Sequence, residues 1–152
     1  MRVIIAAIGR ERDPAARALF DRYVERLPWK LSLSEGEAKK AKSGAARMAE
    51  EAALLLKAVP AGATIIALDE RGRDLDSATF AKRIGTWIDA STTDLAFIIG
   101  GADGLAPELR ERAALTLCFG KLTWPHLLVR IMLAEQLYRA STILAGHPYH
   151  RA

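Results

Sequence analysis

Two hydrophobic rhythms trade places along the chain. Arg2-Val-Ile-Ile-Ala-Ala-Ile8 is a short, β-branched apolar run, the pattern of a strand buried on both faces. Asp13-Pro14 then offers an N-cap followed by proline at the first helical position, so a helix is expected from there to about Leu27, where Pro28 and Trp29 interrupt it. Lys30-Leu-Ser-Leu-Ser34 alternates as a half-exposed strand does. Alanine, leucine, methionine and glutamate at helical spacing fill Ser43 to Val59, and Pro60-Ala-Gly62 ends that helix. A second apolar strand, Ala63 to Leu68, precedes a charged loop, Asp69-Glu70-Arg71-Gly72-Arg73, and a helix from about Ser77 to Ala90. Asp94 to Ile99 repeats the strand pattern and ends in Gly100-Gly101-Ala102-Asp103-Gly104, after which Ala106-Pro107-Glu108 opens a short helix. The last strand, Leu115 to Phe119, leads through Gly120-Lys-Leu-Thr-Trp124 into a long helix starting near Pro125. Strands alternating with helices predict an α/β fold, a mostly parallel sheet covered by helices on both faces. No repeat or linker divides the chain, so residues 1–152 are expected to form a single domain.

The final helix lacks a clear polar face. Between Leu127 and Ala145 the few polar residues, among them Arg130, Glu135, Gln136, Arg139 and Ser141, are spread around the wheel. A helix apolar nearly all round must be covered on more than one side. One cover is its own sheet; the other is expected to be a second copy of the chain, giving a homodimer, with full burial inside a monomer as the alternative.

Composition narrows the class. No run approaches the roughly 18 unbroken apolar residues of a membrane span, and the apolar start at Arg2 to Ile8 is too short and too soon followed by Arg10-Glu-Arg-Asp13 to be a secretory signal. With one cysteine and no need of a disulfide at this length, a cytoplasmic protein is expected. The net charge is +4, and the whole excess lies in the first 60 residues, with 12 basic and 8 acidic side chains. Its densest part is Lys39-Lys40-Ala41-Lys42 with Arg47 close behind, between Gly36 and Gly44. That pattern suits a loop that meets nucleic-acid phosphates and suits a solvated turn equally well.

In open α/β sheets ligands bind beyond the carboxyl ends of the strands. Three loops qualify: the one after Leu68, the glycine loop from Gly100, and Gly120 to Pro125. Paired glycines let backbone approach a ligand closely, and they also make ordinary turns. Neither a Rossmann G-x-G-x-x-G nor a P-loop pattern is present. His147-x-x-His150 is broken by Pro148 and joined by no cysteine or carboxylate cluster, so no metal site is expected; Cys118 sits in an apolar strand, where an inert thiol is the default. The C-terminus is richer than most chain ends: His147-Pro148-Tyr149-His150-Arg151 combines groups that can stack on a base, pair with phosphate and move a proton. Until something holds it, an unstructured tail is the alternative.

Five segments occur together and in order: Leu68-Asp-Glu-Arg-Gly72, Ile98-Ile-Gly-Gly-x-x-Gly-Leu105, Leu122-Thr-Trp-Pro-His-x-Leu-Val-Arg130, Glu135-Gln-Leu-Tyr-Arg-Ala140 and His147-Pro-Tyr-His-Arg151. On these the chain resembles, from end to end, the bacterial ribosomal RNA large subunit methyltransferase H family of the SPOUT class. The resemblance implies an α/β fold with a C-terminal trefoil knot, a homodimer, S-adenosyl-L-methionine as cofactor, and methylation of N3 of a pseudouridine in 23S rRNA of the assembled ribosome. It implies a cofactor site at Leu68, Gly100, Gly101, Gly120, Lys121, Leu122, Thr123, Trp124 and Pro125, and a C-terminal tail that reaches the partner subunit's cofactor site. The acceptor nitrogen carries an imide proton and becomes a good nucleophile only as that proton leaves. His150 is accordingly the candidate proton acceptor, Arg139 or Arg151 the charge stabiliser, and Tyr149 the residue stacking on the uracil ring. Two other readings compete: a non-catalytic homodimer that grips ribosomal RNA, and a SPOUT methyltransferase with another RNA target.

Overall fold

The computed structural model describes residues 1–39 and 43–151, the last two of these by their backbone alone. Lys40, Ala41 and Lys42 of the basic segment, and the side chains of His150 and Arg151, therefore lie outside the described residues. The elements run β1 (Arg2–Ile8), α1 (Pro14–Val24), β2 (Lys30–Gly36), α2 (Gly44–Ala58), β3 (Thr64–Asp74), α3 (Ser77–Asp89), β4 (Asp94–Ile99), α4 (Pro107–Glu111), β5 (Leu115–Cys118), α5 (His126–Leu144) and a closing 3₁₀ turn, Pro148–Arg151. The five strands form one parallel sheet in the order β2-β1-β4-β3-β5.

Alternate residues of the central strands feed two cores. Val3, Ile5 and Ala7 point to the side where Phe20 of α1, Phe80 and Ile84 of α3, and Leu133 and Leu137 of α5 pack. Ala6 and Ile8 point the other way, onto Leu55 of α2 and Leu109 of α4. The period of two that makes a strand thus divides helices between the faces. Helix α5 lies against both α1 and α3, which covers much of its apolar circumference within one chain. Side-chain caps set the helix starts: Asp13, as the sequence predicts, accepts from the Ala15 amide at 2.9 Å, and Asp76 accepts from Thr79 at 2.6 Å.

Two boundaries differ from expectation. Helix α1 stops at Val24, and the next amides bond three residues back, Arg26 to Tyr23 and Leu27 to Val24. Pro28 is the cause, since the residue before a proline is pushed out of the helical region. The charged segment after Leu68 is not a loop but the continuation of β3: Leu68 pairs with Leu117, the chain bulges, and Arg73 pairs with Leu117 again. Gly72 permits this, because a Cβ there would stand 2.5 Å from the Leu117 carbonyl carbon.

Asp94 opens β4 with its side chain only 7% exposed, and Arg2 grips it at 2.6 and 2.9 Å. The hydrogen bonds from Arg2 hold the Asp94 carboxyl below the usual carboxylate range. Such a group stabilises the fold above its unfolded pKa, about 4, and that stabilisation is lost as pH falls through the lower folded value. Asp94→Asn should therefore lower the urea midpoint at neutral pH, and its gap from wild type should close as the pH drops below about 4. A gap that persists in strong acid would rule out the ion pair as its source.

Candidate functional site

Because β4, β3 and β5 are neighbours in a parallel sheet, their carboxyl ends emerge side by side. The segments that follow them wall a cleft of about 230 Å³, and the first turn of α5 closes it with His126 and Val129. After β3, Asp69 turns back to accept from the Arg71 amide at 3.0 Å and lies 3.6 Å from the Arg110 guanidinium, its carboxylate 3% exposed. After β4, the Gly104 amide donates to the Gly101 carbonyl at 3.0 Å, folding 100–104 into a tight turn. A Cβ on Gly100 would stand 2.6 Å from the Gly104 carbonyl oxygen, so only glycine lets this turn close. After β5, the Trp124 indole donates to the Phe119 carbonyl at 2.9 Å and pins the loop across the cleft mouth, where Leu122 is 72% exposed.

Most residues singled out from the sequence meet here. Leu68, Gly100, Gly101, Gly120, Leu122, Thr123 and Trp124 all line the cleft. Lys121 and Pro125 do not; Pro125 instead begins α5, its carbonyl accepting from Leu128 and Val129. Sequence reasoning missed Asp69, Glu70, Arg71 and His126, which also line it. The signal was present, since each belongs to a quoted motif, but nothing local told which side chain faces inward. Burial, helped by the charge of Arg130, pushes the His126 pKa down, so this imidazole is neutral at neutral pH.

One turn further along α5, Arg130 is 1% exposed. Its guanidinium donates to the Ile8 carbonyl at 2.9 Å, to the Gly9 carbonyl at 3.2 Å and to the Glu35 carboxylate. It thereby fastens the start of α5, and with it His126, to the carboxyl ends of β1 and β2.

The tail residues assemble elsewhere. Arg139 grips Glu135 at 2.7 and 3.0 Å, and the Tyr149 hydroxyl reaches the same carboxylate oxygen at 3.2 Å. The Tyr149 ring sits 4.6 Å from that of Tyr138, with the Arg139 guanidinium 5.1 Å from its centre. Burial and the Glu135 charge push the Tyr149 hydroxyl up to about 12, so it is a donor and not a base near neutral pH. Neither Arg139 nor Tyr149 lines the cleft. Arg139 lies thirteen positions after His126, a rise of roughly 20 Å, so the second cluster is centred midway along α5, beyond the turn that closes the cleft. His150 and Arg151 cannot be placed, as their side chains lie outside the described residues. Among the described residues no group of three or more His, Cys, Asp or Glu side chains could hold a metal ion, and no helix is long and apolar enough to cross a membrane.

Comparison with known proteins gives the same fold. The family model described as a predicted SPOUT methyltransferase matches residues 1–150. A ribosomal RNA large subunit methyltransferase H from Rhodospirillum centenum is 60% identical over 152 residues, all of both chains. Another of that name, from Bradyrhizobium diazoefficiens, is 51% identical over 160 residues, again with full coverage of both. Among solved structures, a probable methylase family protein from Haemophilus influenzae superposes with a TM-score of 0.59 at 13% identity, over 97% of this chain and 69% of that one. A probable methyltransferase from Bordetella pertussis gives 0.56 at 17%, over 91% and 95%. At such identities these last two are likenesses of fold.

Removing the Arg130 guanidinium would take from Glu35 its buried partner, leaving Arg17 at 3.0 Å to pair with it, and would leave two strand-end carbonyls without that donor. Arg130→Met should lower the unfolding free energy by about 3 kcal/mol, measured by urea denaturation. A loss within error of zero would mean that the buried network holds nothing.

Proposed function

The chain belongs to the SPOUT methyltransferase family, among its ribosomal RNA large subunit methyltransferases H, and on that premise we propose that it methylates N3 of a pseudouridine in 23S rRNA of the assembled ribosome, as a cytoplasmic homodimer using S-adenosylmethionine. The observation that carries this reading is the convergence of the β3, β4 and β5 ends on one cleft closed by the start of α5.

The cleft suits the cofactor. Leu68, Ile99, Leu117 and Val129 offer apolar walls for a purine, the turns at 100–104 and 120–124 offer backbone donors and acceptors, and Glu70 offers negative charge toward a cation. When bound there, S-adenosylmethionine supplies a methyl group already activated by its sulfonium, so what the chain must provide is position and management of one proton. Neutral His126 adds no positive charge that would oppose a cationic ligand.

The distribution of groups along α5 supports a site completed by a second copy. Arg139 and Tyr149 are fixed to Glu135 and line no part of their own cleft, while Glu135 lines the groove beside it. Beside it runs a groove of about 740 Å³ between α1, the β5 edge and α5, lined by Leu19, Tyr23, Phe119, Leu128 and Met132. A partner seated in that groove would bring its tail toward the cleft. In this arrangement Arg139, held charged by Glu135, stabilises the anion that forms at N3, Tyr149 stacks on the base, and His150 accepts the proton; His150 and Arg151 take their roles from the family pattern.

Titration calorimetry with S-adenosylmethionine should give saturable binding by a protein whose solution mass is that of a dimer. Gly100→Ala, which forces the 100–104 turn open, should weaken that binding at least about tenfold, or 1.4 kcal/mol. Absence of binding by the folded wild type would favour a non-catalytic ribosome binder. Ribosomes lacking the modification should accept one methyl group, and His150→Ala should slow transfer by about 10²-fold or more; unchanged turnover at neutral pH would remove the proton-acceptor role, and methylation of transfer RNA instead would change the target.

A further inference from the structure

Helix α2 contributes no side chain to the cleft, yet it is fitted to the back of the glycine turn. Glu51, midway along α2, is 6% exposed. Its two carboxylate oxygens lie 2.9 and 3.1 Å from where a Cβ on Gly101 would stand, and Ile8 lies at 3.1 Å on the other side. The carboxylate fills the volume that any side chain at position 101 would need. The Gly101 amide acts on its charge, while Oε2 has no hydrogen-bond partner among the described residues. One turn earlier on the same helix, Arg47 lies 3.3 Å from Asp103, in the same turn.

A carboxylate this deep is rare unless it is bonded or paired. Burial pushes the Glu51 carboxyl up, as do Asp103 across the gap and Glu50 beside it, while the Gly101 amide and Arg47 act in the opposite direction. Half-exposed Arg47 and Asp103, at 43% and 42%, form a solvent-screened pair that contributes little. The interaction that can fix the turn is the buried one.

Resting on the S-adenosylmethionine reading above, we propose that Glu51 is a positioning residue for the cofactor site: its carboxylate packs behind Gly101 and keeps the 100–104 turn in its ligand-ready shape before any ligand arrives. A site ordered in advance binds more tightly because less freedom is lost on binding. Glu51 touches neither cofactor nor RNA and acts through Gly101 alone.

The test compares wild type, Glu51→Ala and Glu51→Gln, the last keeping an acceptor oxygen of the same reach. Glu51→Ala should raise KM for S-adenosylmethionine about tenfold with kcat at saturation and KM for ribosomes unchanged, and Glu51→Gln should recover most of the loss. In the ligand-free protein, amide exchange at 100–104 should quicken in the alanine variant and return toward wild type in the glutamine one. Glu51→Asp, which keeps the charge but shortens the reach to Gly101, gives the same expected pattern in smaller degree if Glu51→Ala does not fold. Unchanged KM and exchange in Glu51→Ala would overturn the proposal, as would glutamine failing as badly as alanine with both substrates affected alike. Wild-type protein that binds no S-adenosylmethionine would overturn the functional reading first, and this one with it.

Discussion

A guanidinium taken out of water loses several kcal/mol of hydration unless the protein replaces it. Arg130 is replaced at the carboxyl ends of the sheet, by Ile8, Gly9 and Glu35, and the rest of the molecule is arranged around that bond set. Because β1 pairs with both β2 and β4, fixing α5 to its end fixes α5 relative to the whole sheet. The first turn of α5 closes the cleft, and its body is the middle helix of one layer, between α1 and α3. Glu35 is shared in turn: Arg17 of α1 reaches its other oxygen at 3.0 Å. One buried charge therefore couples the layer of helices to the wall of the site, and the half-buried His126 beside it stays neutral partly on its account.

The second constraint is close approach of backbone to backbone. Gly72 lies against the Leu117 backbone and Gly100 against the Gly104 backbone at distances that no Cβ could share, and Gly101 lies against the side-chain end of Glu51. These three contacts lie in or behind the walls of one cleft. Glycine gives up conformational entropy in such places, of order 0.5–1 kcal/mol relative to alanine, and what it returns is main chain packed densely enough to shape a site without long side chains. That is a sensible construction for a small, partly apolar ligand whose recognition rests on edges and on shape.

Local patterns in the sequence carried the strands, the Asp13-Pro14 helix start, the parallel sheet and the loops after β4 and β5 that wall the cleft, since each depends on neighbours a few residues away. The misses depend on distant ones. Asp69 to Arg73 is charged and looks like a loop, and only pairing with β5, more than 40 residues on, makes it strand. Glu51 reads as one more acid on a helix face, and its burial is decided by a glycine 50 positions later. Helix α5 is apolar nearly all round; the sequence shows that it must be covered and cannot say whether by α1 and α3 or by another chain. In the structure α1 and α3 take a large share of that cover, so the case for a partner rests on the groove and the tail more than on the helix itself.

Seen along α5, the molecule divides its chemistry. Its first turn holds His126 and the cleft, its middle holds Glu135 with Arg139 and Tyr149, and Arg139 stands roughly 20 Å along the rod from His126. A helix fastened by a buried charge at one end and wedged between two neighbours along its length has no freedom to bring these two clusters together. On the proposed reading, the base-handling groups of each chain meet a cofactor in another chain's cleft. A two-fold arrangement satisfies that requirement twice over with a single interface, because an isologous contact places each tail at the other's site. Activity would then depend on assembly, and an isolated chain could hold the cofactor loops in order while lacking the groups that handle the acceptor.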